Sequence, residues 1–477
     1  MVIERDEMQE IVKGYEEPIG LNLGSHSALD AWQGQRNNGL RSILYVPPQR
    51  ARIYFQNPMV GNPGEPVEDL PRLVKEDIIV VDDPQDIKKD ERWKSAILIV
   101  DKYSDIVKYV DTLIDLECIQ IPNRAFSVYV GGDERCGVIE DEFKVPIIGS
   151  RRLLKIENRG EIKKDYYWFA EKARIPTPRS YEYEVRKNGI RFKQPVDEPL
   201  ILKAEHAHRK FEREFIFAAD SNHLEEKIEK EMKEGNLTRE GLKTARIEQI
   251  VLGPHANFNF FYSPLDAKEE WGDVEKWYAK LYNTNIKNAR ICLANQFLSI
   301  DERRETILDG LKRLPIDVQE KIKEVPSFEV TAHAILSLRE SLLKDLHRYA
   351  DAFLLTTRRY EPPGIIGAWC LQTLITWDKI SKYELKPKSK FDVTIGNEPK
   401  TGTDYGLYDV SSEGELYMHI PVTQDVALRH GGGTNVHMGI GSQYANAKYQ
   451  KRMSMGDRIA LEIRRAWKEK LLHEIVT

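Results

Sequence analysis

Cysteine is scarce in this chain and carries no pattern. Four occur in 477 residues, Cys118, Cys136, Cys292 and Cys370, and no two form a C-x-x-C pair. Neither a disulfide framework nor a thiolate zinc site is expected, and a reducing cytoplasm suits the composition. Long apolar runs are lacking too: no stretch approaches the ~20 residues of a spanning helix, so no membrane partner is expected. The opening MVIERDEMQEIVKGY carries charges throughout and reads as a short amphipathic helix, not a cleaved leader. A basic excess is also absent. Lys plus Arg number 71 against 76 Asp plus Glu, a net charge of −5, so the electrostatic footprint of a duplex nucleic-acid binder is missing and only local anion pockets remain.

What is present is a large, charged, globular chain, 41% apolar and 31% charged, long enough for two to four domains at ~100–200 residues each. Near its start, residues 19–23 read as a short strand. Gly24-Ser25-His26-Ser27 then turns into a helical pattern through Ala28, Leu29, Ala31 and Trp32, and a second strand follows at 42–46. Strand, Gly-Ser loop, helix and strand make half of a mononucleotide-binding unit, whose helix N-terminus suits a phosphate. Ser25 or Ser27 as an ordinary cap is the plainer alternative. Strands at 78–81, 96–100, 119–121 and 127–130 and a helix at 104–116 extend an α/β domain, and residues 47–70, rich in Pro, Asn and Gly, read as an excursion from it. The phrase VPIIGSRRLL around residue 150 reads as its boundary.

The most informative stretch runs from Leu200 to Tyr262. Leu200, Ile201 and Leu202 form a buried-strand run ending in Lys203, and an ammonium cannot be buried cheaply unless an anion meets it. A phosphate would serve. A loop dense in donors follows, with His206, His208, Arg209, Lys210 and Arg213, and then strand at 215–218, helix at 222–234 and strands at 246–252 and 257–262. The pattern suits a clamp over nucleotide phosphates, or else a surface hairpin with a solvated basic tip.

Further on, 289–300 reads as strand and 339–357 as a long helix, and the block Asp301 to Thr306 has the charge density of a solvated helix face. Residues 365–374 read as a strand interrupted by Gln372, whose buried amide needs a hydrogen-bond partner or a metal. Phe391-Asp392-Val393-Thr394 is another short strand, and a strand pair follows near 415–420. Gly431-Gly432-Gly433, between Arg429-His430 and Thr434-Asn435, makes a loop whose backbone can approach a ligand or can merely flex. Ser454 caps a closing helix with Ile459, Ile463 and Trp467 on one stripe.

Taken together, LGSHSAL, VPIIGSRRLL, the Lys203 strand, IEQIVLG, FNFFYSPL, IDERRETILDGLKRLP, SLRESLL, PPGIIGAWCLQTL, GGTN and SMGDRIALEI resemble the archaeal formate-dependent AICAR ligases, also called FAICAR synthetases. These phrases run through almost the whole chain in order. The resemblance implies a mixed α/β and α+β fold, a Rossmann-like pre-ATP-grasp domain followed by ATP-grasp domains. The divisions expected are 1–150, a clamp-bearing subdomain at 151–265 and a metal-bearing one at 266–477, with an insertion near 396–424. It implies a carbon–nitrogen ligase of purine biosynthesis, with ATP, formate and an AICAR-like phosphoribosyl compound as substrates, Mg²⁺ or Mn²⁺ as metal, and homo-oligomeric assembly.

Residue by residue, the resemblance sets Lys203, His206, Arg209 and Lys210 against ATP phosphates and Glu248 and Gln249 at the adenine hinge. Ser25, His26, Arg303, Glu305, Thr434 and Asn435 fall on the substrate side, and Lys203 and Arg429 are the catalytic groups it implies. Gln372 takes the place of one metal ligand, and Asp392 is preferred for the second, with Asp425 as its competitor. The chain departs from the pattern at the phosphate loop, which reads HAHRKFERE without glycine, at Asn123-Arg124-Ala125 in place of His-Gly-Ser, and at Ile307 in place of asparagine. Another acid–amine pair, or a non-catalytic nucleotide-binding role, is the alternative these departures motivate.

Overall fold

A computed structural model of the chain describes residues 2–57, 77–133, 135–158, 162–204, 214–319, 321, 330–383, 408–410, 412, 414, 416–449 and 452–477. A short helix, Arg5–Lys13, precedes a parallel sheet. Its strands are β1 (Ile19–Leu23), β2 (Ser42–Val46), β3 (Ile78–Val81), β4 (Ser95–Ile99) and β5 (Cys118–Ile121), in the order β3-β4-β2-β1-β5. IGLNL and SILYV are buried at every position, as strands covered on both faces must be. The sheet grows from β1 through β2 to β4 and β3, and then the chain crosses back to place β5 on the other side of β1. That reversal opens a crevice beyond the carboxyl ends of β1 and β5, where ligands lodge in open parallel sheets.

Residues 127–130, expected as strand, belong instead to a helix, Arg124–Val130. Asn123 starts it, its side chain accepting from the Phe126 amide at 3.0 Å, and this cap overrides the β-branched look of SVYV. The excursion expected from residue 47 begins as a helix, Pro48–Gln56, and 58–76 lie outside the described residues.

A hairpin of β6 (Tyr183–Val185) and β7 (Ile190–Phe192) precedes a three-stranded antiparallel sheet. This holds β8 (Leu200–Ala204), β9 (Glu214–Ala218) and β10 (Arg246–Gln249) in the order β10-β8-β9. The helix Ser221–Glu234 covers it, with Leu224 and Ile228 in one cluster with Leu200, Leu202 and Ile247. His206, Arg209 and Lys210 lie outside the described residues.

The third sheet is antiparallel, β13-β12-β11-β14-β16-β15. Its strands are β11 (His255–Tyr262), β12 (Asn295–Glu305), β13 (Val330–Ile335), β14 (Gly367–Lys379), β15 (Tyr408–Val410) and β16 (Leu416–Ala427). The run 289–300, expected as one strand, is divided. Asn285 caps a helix Ile286–Leu293, accepting from the Asn288 amide at 2.8 Å, and β12 starts only at Asn295. The charged block from Asp301 to Glu305 continues β12 and is no solvated helix face; Asp301 is 1% exposed. Of the stretch 396–424 expected as an insertion, residues 416–424 belong to β16, a full partner of β14.

β11 has two buried faces. Ala256, Phe258 and Phe260 enter the main core with Trp369 and with Phe353 of the helix Glu340–Tyr360, and the Phe260 and Trp369 rings stack with centroids 4.9 Å apart. Asn257 and Asn259 alternate with them onto the opposite face and are also buried. That polar face is the floor of the candidate site.

The closing helix Met455–Lys468, capped by Ser454 in a reciprocal box with Asp457, returns to the first sheet and crosses the helix Ala28–Asn37. The crossing works because two glycines meet. A Cβ on Gly34 would lie 2.0 Å from the Gly456 carbonyl carbon, and one on Gly456 would lie 2.0 Å from the Asp30 carbonyl oxygen. No helix among the described residues is long and apolar enough to cross a membrane, and all four cysteines are free and buried. Gly34→Ala is expected to destabilise the protein by about 3 kcal/mol, because backbone on the far side cannot step away as a side chain could. Denaturant titration checks this: an unchanged midpoint would mean that the crossing has slack.

Candidate functional site

Four strands place one polar residue each in a single row across the third sheet. Asp301 of β12 pairs in register with Asn257 of β11, Asn257 with Gln372 of β14, and Gln372 with Asp425 of β16. The last pairing depends on a bulge. Register slips after Gln372, so that Thr373 faces Thr423 and Gln424 is the extra residue, which turns Asp425 to the Gln372 face. Gln372 is 8% exposed and its Oε1 has no hydrogen-bond partner among the described residues. A buried amide oxygen left in this state calls for a partner that the described residues do not supply. With a carboxylate directly across the ladder, the pair fits a hard divalent cation. Among the described residues no three His, Cys, Asp or Glu side chains gather to hold a metal, so this candidate rests on one amide and one carboxylate. Arg303 Nη2 lies 3.9 Å from Asp425 Oδ2. Asp392 lies outside the described residues.

Beyond this row, Glu305 is buried beside His255, with His255 Nδ1 at 3.5 Å from Glu305 Oε1. Burial raises the Glu305 carboxyl pKa, against the lowering effect of Arg303 and Lys312. Burial, and then the charge of Arg303, lower the His255 pKa to about 4. The pair is therefore held toward its neutral forms.

The glycine triplet closes the site from the side of the first sheet. Arg429, 9% exposed, puts Nη2 at 3.1 Å from Glu157 Oε2, and Arg124 Nη1 meets the same oxygen at 3.1 Å. The Leu428 amide donates to the other oxygen at 3.1 Å. Arg429 Nε, buried, has no hydrogen-bond partner among the described residues. His430 pairs with Asp30 at 2.8 Å, and Ser27 Oγ donates to Gly431 O at 2.9 Å. Ser27 stands at the N-cap position of the helix but makes no side-chain cap; its hydroxyl ties down the glycine loop instead. Asn123 is likewise occupied, its amide donating to Leu23 O and Ser25 O at 3.2 and 3.0 Å. Ser25 Oγ accepts from Arg50 at 3.2 Å. His26, exposed at φ 55°, lies against Gly432, where a Cβ would come within 2.7 Å of its ring. Thr434 Oγ1 donates to Gly431 O at 2.8 Å and so serves the loop.

At the three-stranded sheet the anion meeting Lys203 is a carboxylate. Lys203 Nζ lies 2.5 Å from Glu248 Oε2, and Arg246 Nε lies 2.6 Å from Glu248 Oε1. Glu248 is fully buried, which alone would raise its pKa, yet Lys203 and Arg246 hold it below the ordinary glutamate value. Tyr167 supports both cations, its ring 3.6 Å beneath the Arg246 guanidinium and its hydroxyl 3.5 Å from Lys203 Nζ. The neighbouring Tyr166 donates to Gln424 O at the bulge, so two consecutive residues of the helix Tyr166–Lys172 link this cluster to the Gln372–Asp425 row. Gln249 faces away from Glu248, accepting from Arg179 at 2.7 Å and donating to Tyr383 at 2.9 Å.

Two family models match, one described as a protein of unknown function (DUF1246) over residues 21–181 and one as a domain of unknown function (DUF1297) over 223–395 and 415–477. A protein of Methanopyrus kandleri named 5-formaminoimidazole-4-carboxamide-1-(beta)-D-ribofuranosyl 5'-monophosphate synthetase is 27% identical over 100% of both chains. One of the same name from Methanothermobacter thermautotrophicus is 25% identical over 100% of this chain and 99% of its own. The crystal structure of an IMP biosynthesis protein PurP from Thermococcus kodakaraensis superposes with a TM-score of 0.54 at 23% identity, covering 96% of this chain and 100% of that one. The chain is similar from end to end to proteins named for FAICAR synthesis. It shares the fold of that solved structure, a parallel α/β unit followed by antiparallel sheets.

Eight of the residues singled out from sequence fall into three groups in this relative of the FAICAR synthetases. Gln372, Asp425 and Arg303 share one sheet face, Ser25, His26 and Arg429 border the glycine loop, and Lys203 with Glu248 forms the third group. Sequence reasoning passed over Asn257, Asn259, Asp301, Glu157 and Tyr167. The period-2 polar alternation in HANFNFFY was a usable signal for the two asparagines.

Replacing Lys203 tests the third group. Lys203→Met is expected to lower ATP turnover by roughly 10²-fold. It should also destabilise the protein at pH 7, because buried Glu248 loses one of its two cationic partners among the described residues. A carboxylate with a depressed folded pKa contributes stability above its unfolded pKa and loses it as pH falls through the folded value. The gap in melting temperature between wild type and variant should therefore narrow on acidification below the ordinary glutamate range. An equal gap at both pH values would contradict the pairing.

Proposed function

We propose that this chain is an ATP-dependent carbon–nitrogen ligase that joins formate to the amine of the AICAR ribotide, giving FAICAR, ADP and phosphate through formyl phosphate. The observation that carries the reading is the row in which Gln372, with an orphaned buried amide oxygen, faces Asp425, in a chain matched from end to end by relatives named for that synthesis. A formate oxygen attacks the γ-phosphorus of ATP and ADP leaves. The amine then attacks the formyl carbon and phosphate leaves. No covalent enzyme intermediate is needed, so the work of the protein is positioning and charge neutralisation.

Lys203, with the basic loop bearing His206, Arg209 and Lys210, faces the ATP phosphates in this reading. Glu248 holds Lys203 in place, and Gln249 keeps the hinge next to it. A divalent cation on Gln372 and Asp425, Mg²⁺ with Mn²⁺ able to replace it, would offset phosphate charge. Arg124 and Arg429, set by Glu157, together with Ser25 and His26, form an anion-binding corner at the carboxyl ends of β1 and β5, suited to the phosphate of a ribotide. Units at 1–150, 151–265 and 266–477, with β11 and the closing helix crossing between them, belong to the same proposal, as do a cytoplasmic setting and assembly with further copies of the chain.

The test is ADP release measured with formate and AICAR each present and each omitted. Release that requires both supports the reading, and release that ignores both but answers another acid–amine pair overturns it. In the same assay Asp425→Asn should raise the Mg²⁺ concentration needed for half-maximal turnover about tenfold or more.

A further inference from the structure

Asp301 stands two strands from Gln372 on the same face, about 10 Å away at sheet spacing, with Asn257 between them. It is 1% exposed, and its two oxygens are fully engaged. Oδ1 accepts from Asn259 Nδ2 at 2.7 Å, and Oδ2 accepts from Asn257 Nδ2 at 2.8 Å and meets His333 Nδ1 at 2.7 Å. Two amide donors leave the carboxylate as acceptor only, so the histidine hydrogen bond requires the proton on Nδ1. That choice of tautomer leaves the Nε2 lone pair available.

His333 lies on β13 opposite Arg303, so its ring is on the site face, and its side chain keeps 21% exposure. Gly433 makes room for it, since a Cβ there would lie 2.4 Å from His333 Nδ1 and 2.2 Å from Asp301 Oδ2. The neighbouring Gly432 lies against His26. Two histidines, one from the crevice of the parallel sheet and one from the antiparallel sheet, therefore flank a single peptide of the glycine loop.

We propose that His333 accepts the proton of the attacking amine and that Asp301 is its positioning residue. This rests on the ligase reading above. The amine lone pair forms the new bond to the formyl carbon, the carbon–oxygen bond to phosphate breaks with its electron pair departing on phosphate, and one N–H proton passes to His333 Nε2. The imidazolium so formed is held against the Asp301 carboxylate. Other titratable or charged groups near it are Arg303 across the ladder, His437 of the helix Thr434–Ile440 packed on β12, and His26 beyond the glycine loop.

Two half-reactions separate the roles. Formate-dependent scrambling of ¹⁸O in ATP reports phosphoryl transfer alone, and formylation of AICAR reports the second step. His333→Gln is expected to keep scrambling within about threefold of wild type, to lower formylation by roughly 10²-fold, and to lose the acidic limb of the kcat/KM profile. Asp301→Asn, of the same shape, should weaken formylation and displace that limb, with melting curves confirming that both variants fold. Formylation unchanged in His333→Gln, an acidic limb that stays in place, or equal loss of both half-reactions would overturn the assignment while leaving the ligase reading intact. A wild-type enzyme with neither half-reaction would overturn both.

Discussion

Between His26 of the parallel sheet and Asp301 of the antiparallel one there is room for backbone and for nothing more. Gly432 and Gly433 fill that gap, and a methyl group on either would overlap a side chain at 2.7 Å or less. Gly433 has φ −93° and ψ −10°, a conformation open to any residue, so glycine is required there by space and not by backbone torsion. Because the loop fits so closely, it can be held by both sheets at once. Ser27 and the backbone of Pro122 hold it from one side, and Ser299 and Asp301 meet it from the other. This contact joins the crevice at the first sheet to the polar floor of the third.

Charge is arranged by the same economy of buried groups. Glu157 draws Arg124 from the Rossmann-like unit and Arg429 from the glycine loop, and Glu248 draws Lys203 and Arg246 from two adjacent strands. Removing one member of such a buried set costs about 3 to 5 kcal/mol, far more than a surface pair is worth. Each carboxylate thus fixes cations whose side chains would otherwise sample many rotamers. Fixed cations beside a low-dielectric floor are what an anionic substrate with a phosphate to transfer requires.

Much of the parallel sheet was legible, because strands buried on both faces read as plain apolar runs. Lys203 was legible for the same reason, as a charge at the end of such a run. Its counter-ion was not. Glu248 sits 45 positions away in sequence, and only the register of β10 against β8 brings it near. The metal-ligand candidates show the same difficulty. Asp392, preferred from sequence order, lies outside the described residues, and Asp425 faces Gln372 through a bulge at Gln424 that no local pattern announces. The misread strand at 127–130 failed differently: Asn123 looked like part of a departed binding motif, and its capping of the helix that follows was missed. His333 carries no local signal at all, since its role comes from a strand pairing.

The central claim is that the chemistry sits on the polar face of the third sheet, where Gln372 meets Asp425. Anomalous diffraction from a crystal soaked with Mn²⁺ and a non-hydrolysable ATP analogue tests it most directly. A peak is expected at coordination distance, roughly 2.0 to 2.4 Å, from both Gln372 Oε1 and an Asp425 carboxylate oxygen. Bound nucleotide with the metal peak away from this pair would contradict it.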